Sequence, residues 1–203
     1  YITVVPVNDP PIVNDDKAIT PEDTPISFSL IGNDSDIDGN INPATLDLDP
    51  ATPGQQTNFT VPGQGTFVVD LVSGFVTFTP VTNFTGVVNT ILYQVCDDGT
   101  PLPQLCDMAN IDVTVTPVND PPIANDDVKF TPEDTPILIC VPENDYDLDG
   151  NLDVKSVMIT AYPLYGTIVV DPITGCINYT PNPDYNGPDQ FKYKICDTGI
   201  PVF

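Results

Sequence analysis

An all-β chain of two tandem β-sandwiches is what this sequence predicts, on three observations. First, 24 prolines and 13 glycines punctuate its 203 residues and leave no window for a sizeable helix. Second, the apolar stretches between them are short, alternating and β-branched, as in Ile2-Thr3-Val4-Val5 and Ile111-Asp112-Val113-Thr114-Val115. Third, the chemistry recurs 111 positions on. Val7-Asn8-Asp9-Pro10-Pro11 returns as Val118-Asn119-Asp120-Pro121-Pro122, and Thr20-Pro21-Glu22-Asp23-Thr24-Pro25-Ile26 returns as Thr131-Pro132-Glu133-Asp134-Thr135-Pro136-Ile137. Asn33-Asp34-Ser35-Asp36-Ile37-Asp38-Gly39-Asn40 returns as Asn144-Asp145-Tyr146-Asp147-Leu148-Asp149-Gly150-Asn151. A repeated acidic module describes a stretch of an array, not an enzyme built around one cleft.

Residues 1–7 match 112–118, the last strand of a repeat. The chain is therefore expected to hold the final strand of a preceding repeat (1–7), one whole repeat (8–117) and a second repeat (118–203) that stops before its last strand. In the first repeat, alternation places strands at 26–31, 66–70, 74–79 and 90–96, before the run at 111–115. In the second they fall at 137–141, 166–171, 175–180 and 190–196. Residues 70–74 and 171–175, each opening on Asp and closing on Gly, predict hairpin turns. The displacement between repeats shrinks after Asn40, so about ten extra residues lie between Asn40 and Gly65, expected to form a surface loop. Seven or so short strands per repeat predicts a sandwich. The fragment is expected to be a monomer cut from a longer array. Donor-strand exchange, with residues 1–7 filling the open edge of another copy, is the sharper alternative.

Composition narrows the function. Hydrophobic residues make up 40% of the chain, enough for a core in each repeat, so the formal charge of −24 does not mark a disordered tail. Of 29 acidic residues only Glu22, Glu133 and Glu143 are glutamate; aspartate favours turns and short-reach metal loops. Five lysines and no arginine cannot neutralise a phosphate backbone, which excludes nucleic acid, and an anionic membrane would repel this surface. No 18-residue apolar run is present, and no signal peptide is expected within these residues. The absence of histidine removes Ser-His-Asp and Cys-His catalysis, and there is no phosphate-cradling glycine loop; no enzyme is predicted.

Five cysteines are expected to pair as Cys96–Cys106 and Cys140–Cys176, with Cys196 left without a partner, and such disulfides belong outside the cytosol. Reduced cysteines in the core are the alternative.

The strongest chemical signals are Asp34-x-Asp36-x-Asp38-Gly39 and Asp145-x-Asp147-x-Asp149-Gly150. Alternating aspartates offer hard oxygen ligands, and the glycine permits the turn that folds them around one cation. Neither loop is an EF-hand, because position twelve is Thr45 or Ser156 where a bidentate Glu is needed. Other ligands must come from elsewhere: Glu22 and Glu133, Asn8-Asp9 and Asn119-Asp120, Asp97 and Asp197. Asp15-Asp16 and Asp126-Asp127 also repeat, and are expected in turns or at the surface. Calcium suits a multi-carboxylate cage better than magnesium, which demands a tighter octahedron.

The order Pro-Glu, then Asp-x-Asp with Gly-Asn, then Asp-x-Gly-x-Pro, then an alternating strand into Val-Asn-Asp-x-Pro resembles the cadherin repeat. It is closest to the cadherin-like tandem repeats of large bacterial cell-surface adhesins. The resemblance implies cadherin-like or immunoglobulin-like Greek-key β-sandwiches with Ca²⁺ between successive repeats. Carried over, the inner junction would use Glu22, Asn119, Asp120, Asp145, Asp147, Asp149 and Asp197. The upper junction would use Asn8, Asp9, Asp34, Asp36, Asp38 and Asp97, and Glu133 would face a following repeat. The Leu-Asp-Arg-Glu motif of cadherins is absent, and Asn-Asp-Pro-Pro replaces their Asn-Asp-Asn. These departures imply fewer ions per junction, or a site within one repeat.

The function implied is a calcium-rigidified spacer or stalk of a long extracellular, cell-surface adhesin, used in bacterial attachment or surface motility. Its partners would be neighbouring repeats, a surface glycan or another adhesin. The alternatives are a carbohydrate- or protein-binding module, or an accessory domain of a secreted polysaccharide-degrading enzyme.

Overall fold

The computed structural model describes residues 1–99 and 101–200. The chain divides into two compact units, Tyr1–Val118 and Asn119–Phe203. In unit 1 the strands are β1 (Asp16–Pro21), β2 (Ile26–Ser29), β3 (Ile41–Asp47), β4 (Asn58–Val61), β5 (Gly65–Asp70), β6 (Phe75–Pro80), β7 (Gly86–Val87), β8 (Ile91–Asp97) and β9 (Cys106–Thr116). One sheet runs β1-β9-β8-β3, with β7 also pairing β9; the other runs β2-β6-β5-β4. Side chains from both sheets meet in one core, with Val76, Phe67 and Phe78 from one sheet and Tyr93, Val95, Ile111, Val113 and Val115 from the other. This is a β-sandwich.

Within unit 1, β9 organises its sheet. It pairs antiparallel with β8, Ile91 opposite Ile111, and parallel with β1, from Asp16 opposite Ile111 to Pro21 opposite Thr116. The alternation read at 111–115 is borne out, since Ile111, Val113 and Val115 are each about fully buried at 1% exposure. The Cys96–Cys106 disulfide joins a register pair of β8 and β9.

Unit 2 has β10 (Ile137–Ile139), a 3-10 turn (Val141–Glu143), β11 (Leu152–Ala161), β12 (Gly166–Val170), β13 (Ile177–Pro181) and β14 (Lys192–Asp197). Its sheets are β10-β13-β12 and β11-β14. A smaller core gathers Ile139, Val141, Val157, Ile177 and Ile195, and Cys140 is bonded to Cys176. Cys196 is free. Residues 127–132 correspond to β1 but form no strand. The described residues of unit 2 include no counterpart of β9, the strand on which β1 depends.

Several expectations need correction. Residues 2–5 join no strand; a lone extended segment has no ladder to complete. Of Asp15-Asp16, expected in turn or surface positions, Asp15 is exposed as expected, but Asp16 opens β1, whose inward residues are Asp16, Ala18 and Thr20. Residues 41–64 as a whole are not one loop, since β3 joins the first sheet and β4 the second, but the extra residues around Pro53-Gly54-Gln55-Gln56 do form an irregular, largely exposed stretch between them, as expected. Leu46 and Leu48 anchor this crossing in the core.

The repeated blocks share local devices. Asp23 and Asp134 adopt left-handed φ of 56° and 60°. The Asp23 carboxylate accepts the Asn83 N–H and that of Asp134 accepts the Asp184 N–H, both at 3.0 Å. Thr20 and Thr131 hydroxyls close the same turn on the carbonyls of Thr24 and Thr135. The two hairpins close as expected, with Gly74 and Gly175 at φ 72° and 71°. Gly65 and Gly166 leave room for the cross-strand rings of Phe78 and Tyr179; a Cβ at either would collide with that ring and the neighbouring carbonyl.

Gly65→Ala is therefore expected to destabilise unit 1 by about 1–3 kcal/mol through overpacking. Gly166→Ala should do the same to unit 2. Denaturant titration followed by residue-resolved NMR would show loss confined to the unit carrying the change; unchanged midpoints would contradict it.

Candidate metal centre

The aspartate loops hang between the extended N-terminal stretch of each repeat and the end of its β8 or β14 strand. A two-residue bridge sets this placement in each unit: Ile12 pairs with Ser35, and Ile123 with Tyr146. In unit 1 the Asn8 amide donates to Asp97 Oδ2 at 2.7 Å and to the Pro103 carbonyl at 2.8 Å. Asp97 is fully buried, and its Oδ1 accepts the Gly99 N–H at 2.7 Å. Asp36 Oδ1 accepts the N–H groups of Asp38 and Gly39, each at 3.0 Å. Asp38 Oδ2 accepts the Asp9 N–H at 3.1 Å.

Unit 2 repeats this arrangement. Asn119 donates to Asp197 Oδ2 at 3.0 Å, and Asp149 Oδ2 accepts the Asp120 N–H at 2.7 Å. Asp147 Oδ1 accepts the Asp149 N–H at 2.8 Å. Asn8, Asp9, Asp36, Asp38 and Asp97 thus gather in unit 1, and Asn119, Asp120, Asp147, Asp149 and Asp197 gather in unit 2.

The first aspartate of each triplet also braces the loop, while Asp34 Oδ2 is a buried acceptor with no hydrogen-bond partner among the described residues. Asp34 Oδ1 accepts the Asn14 N–H at 2.8 Å, and Asp145 Oδ1 accepts the Asn125 N–H at 2.7 Å. Asp145 also receives the Tyr193 hydroxyl at 3.0 Å. In unit 1 the corresponding Tyr93 hydroxyl donates to Asp16 Oδ2 at 2.8 Å and to the Leu30 carbonyl at 2.8 Å. Both glutamates lie away from the loop cluster of their own unit. Glu22 follows β1, buried, with its Oε1 accepting the Val118 N–H at 2.6 Å. Glu133 occupies the same place in unit 2 and is exposed.

A cation's chemistry fits the loop clusters. Asn8 Oδ1 and Asp36 Oδ2 are buried acceptors with no hydrogen-bond partner among the described residues. A Cβ at Gly39 would stand 2.9 Å from Asp98 Oδ1 and 3.6 Å from Asp36 Oδ2, so the loop closes around oxygen atoms. Desolvation, with the charges of Asp36 and Asp9 beside it, holds the Asp38 carboxyl above its ordinary range. An all-oxygen donor set of this kind suits Ca²⁺.

Two participants were missed from sequence. Asp98 accepts the Asn40 amide at 3.1 Å, and the run Asp97-Asp98-Gly99 was its only signal. Asp16 is buried, and burial first, then Asp34 and Asp15, push its carboxyl up to about 7 against the Tyr93 hydrogen bond. Its inward place in the alternation of β1 was the available clue.

Asp16 makes unit 1 pH-sensitive. The unfolded chain releases this proton near pH 3.8 and the folded one near 7, so stability falls as pH rises through that window and is level above it. The effect is of the order of a few kcal/mol. In chelator, Asp16→Asn should flatten the fall in melting temperature of unit 1 between about pH 4 and 7. An unchanged slope would contradict this origin.

Comparison with known proteins was made at three levels. The family described as "Bacterial Ig domain" matches residues 8–114 and 119–200. No curated protein matches. Among solved structures, Drosophila N-cadherin EC1-4 aligns with a TM-score of 0.56 and 16% identity, covering 96% of this chain and 47% of that one. Human CDH23 EC21-23 aligns with a TM-score of 0.47 and 21% identity, covering 93% of this chain and 63% of that one. The chain spans about half the length of the N-cadherin fragment. The sandwiches are cadherin-like and immunoglobulin-like in fold, and the chain belongs to the bacterial Ig domain family.

Proposed function

We propose that this chain is a calcium-rigidified spacer segment of a long bacterial cell-surface adhesin, serving attachment or surface motility. The coarser part is an extracellular repeat module: a bacterial Ig-type sandwich carrying a disulfide in each unit. Among the described residues no helix is long and apolar enough to cross a membrane. A non-catalytic role accords with a chain that has no histidine.

The single observation that carries the calcium reading is the recurrence, unit by unit, of one oxygen-lined loop. Asn8, Asp36, Asp38 and Asp97 would hold the ion in unit 1, and Asn119, Asp147, Asp149 and Asp197 in unit 2. Bound Ca²⁺ supplies charge neutralisation and fixes ligands drawn from separate segments. The protein's part is to hold the carboxylates converged before the ion arrives: the Asp36 and Asp147 turns, the Asn8–Asp97 and Asn119–Asp197 bonds, and the backbone donors of Asp9 and Asp120 do this. The stiffening part of the proposal requires the preceding repeat's glutamate, Glu22 or Glu133, to share the ion with the linker, as the cadherin resemblance implies. Asp34 and Asp145 brace the loop through their Oδ1 atoms, which leaves Asp34 Oδ2 open to the ion.

Thermal melting at matched ionic strength tests it. Calcium at a hundredfold excess over a dissociation constant of roughly 10⁻⁴ to 10⁻³ M stabilises by about 2.7 kcal/mol, which raises the melting temperature by several degrees. Magnesium should not reproduce the rise, and Asp36→Asn with Asp147→Asn should remove most of it. Equal melting in chelator and in calcium would defeat the reading.

One observation favours a second reading, a glycan-binding module. Tyr162 and Leu164 are 71% and 80% exposed beside the stacked pair Tyr165–Tyr185, whose centroids lie 4.4 Å apart. A glycan array separates the two: specific binding lost in Tyr162→Ala favours the module.

A further inference from the structure

The extra residues between Asn40 and Gly65 decide how each unit closes its second sheet. In unit 1 they let the chain cross after β3, so that β4 pairs antiparallel with β5: Asn58 opposite Val68, Phe59 opposite Phe67, Thr60 opposite Thr66 and Val61 opposite Gly65. Unit 2 lacks this length. Its residues 159–161, aligned with the start of β4, stay in β11 on the other sheet, with Ile159 opposite Tyr193 and Ala161 opposite Lys192. β12 is left as the outer strand of β10-β13-β12, and among the described residues no strand pairs with its free side.

Yet β12 keeps the sequence that receives a strand in unit 1. Gly65-Thr66-Phe67-Val68-Val69-Asp70 returns as Gly166-Thr167-Ile168-Val169-Val170-Asp171, changed only at Phe67. Its ladder to β13 matches that of β5 to β6, with Gly166 opposite Pro181 as Gly65 is opposite Pro80. The Asp171 N–H donates to the Cys176 carbonyl at 2.8 Å, inside the sheet, so alternation turns the backbone groups of Val170, Ile168 and Gly166 outward. Val69, aligned with Val170, uses that direction to donate to the Thr57 carbonyl at 2.9 Å. Free edges are commonly blunted by charge, proline, bulges or shortness. Elsewhere in unit 2, β10 is three residues long and β11 bears Lys155 and register shifts. Gly166–Val170 has no charge, no proline and no register shift.

We propose that β12 is an acceptor edge for a partner protein: an extended, uncharged segment with apolar residues at alternate positions adds antiparallel to Gly166–Val170, as β4 adds to β5. Unit 1 sets the register. The donor residue in the place of Val61 lies opposite Gly166, that of Thr60 opposite Thr167, and that of Phe59 opposite Ile168. Phe59 and Val61 turn toward the core of unit 1, so the donor's apolar positions cover the same side of β12. The Thr60 and Thr66 hydroxyls meet across their pair at 3.2 Å, and Thr167 keeps the hydroxyl for the same contact. Charge decides against a second copy as donor. It would bring a further net charge of −24 to the contact, whereas residues 56–62, which fill this place in unit 1, carry none. The edge shares no residue with the aspartate loops, so it does not depend on a bound ion.

The probe is a synthetic peptide of residues 56–62 with blocked termini, added to the isotope-labelled 203-residue chain. Residue-resolved NMR should show amide shifts that saturate with peptide at Gly166, Ile168 and Val170, and slower hydrogen exchange at Ile168 and Val170. The same peptide carrying Phe59→Pro lacks the N–H that faces Ile168 and should leave these amides unmoved. No saturable change at the three residues overturns the proposal, as does an equal change with the proline peptide. Changes confined to Gly65, Phe67 and Val69 overturn it too, because they mark displacement of β4. Ile168 and Val170 amides already protected in the chain alone, with a sedimentation mass of twice 21.9 kDa, overturn it in favour of a second copy.

Discussion

A carboxylate cannot be left buried without a donor, and this chain has 29 acidic side chains and only five lysines to share among them. That shortage dictates much of the local structure. Ion pairing cannot satisfy the acids, so backbone N–H groups do: Asp36 and Asp147 close turns, Asp34 and Asp145 pin the incoming strand, Asp23 and Asp134 tie one turn to another, and Asp70 and Asp171 build hairpins. Tyrosine hydroxyls satisfy Asp16, Asp145 and Asp189. The oxygen atoms these donors do not reach, such as Asp36 Oδ2, converge in the loops. A cation there would answer the same shortage that the turns answer elsewhere.

The described residues of the two units differ in extent. In unit 1 the β9 strand joins β1 to β8 and the core is large. In unit 2 the described residues include no such strand, the corresponding β1 segment is irregular, and the buried cluster is reduced to five residues. Yet the aspartate loop of unit 2 keeps its hydrogen bonds, because the Ile123–Tyr146 bridge and the end of β14 position it without help from β9.

What the sequence made legible follows from where its chemistry is local. The hairpins at 70–74 and 171–175 were readable because Asp and Gly mark both ends of each turn. Strands β5, β6, β8, β12 and β13 were readable because β-branched residues alternate along them. β1 was not, since its inward positions are Asp16, Ala18 and Thr20, which carry no apolar signal. β3 was hidden by Pro43 and by neighbouring polar residues, though Leu46 and Leu48 are buried. The aspartate triplets stood out by spacing, but their division of labour did not: Asp34 turns to Asn14 only because the Ile12–Ser35 bridge brings the two segments together across a long sequence separation. Asp98 and the Asp16–Tyr93 bond depend on the same kind of tertiary meeting.

The parallel pairing of β1 with β9 has a mechanical consequence. Tension entering a repeat ahead of Asp16 and leaving beyond Thr116 pulls these adjacent strands past one another along their length. All six register pairs between them are then loaded together, not peeled apart one after another. Rupture must break that ladder as a block, so a repeat closed in this way is built to bear a lengthwise load.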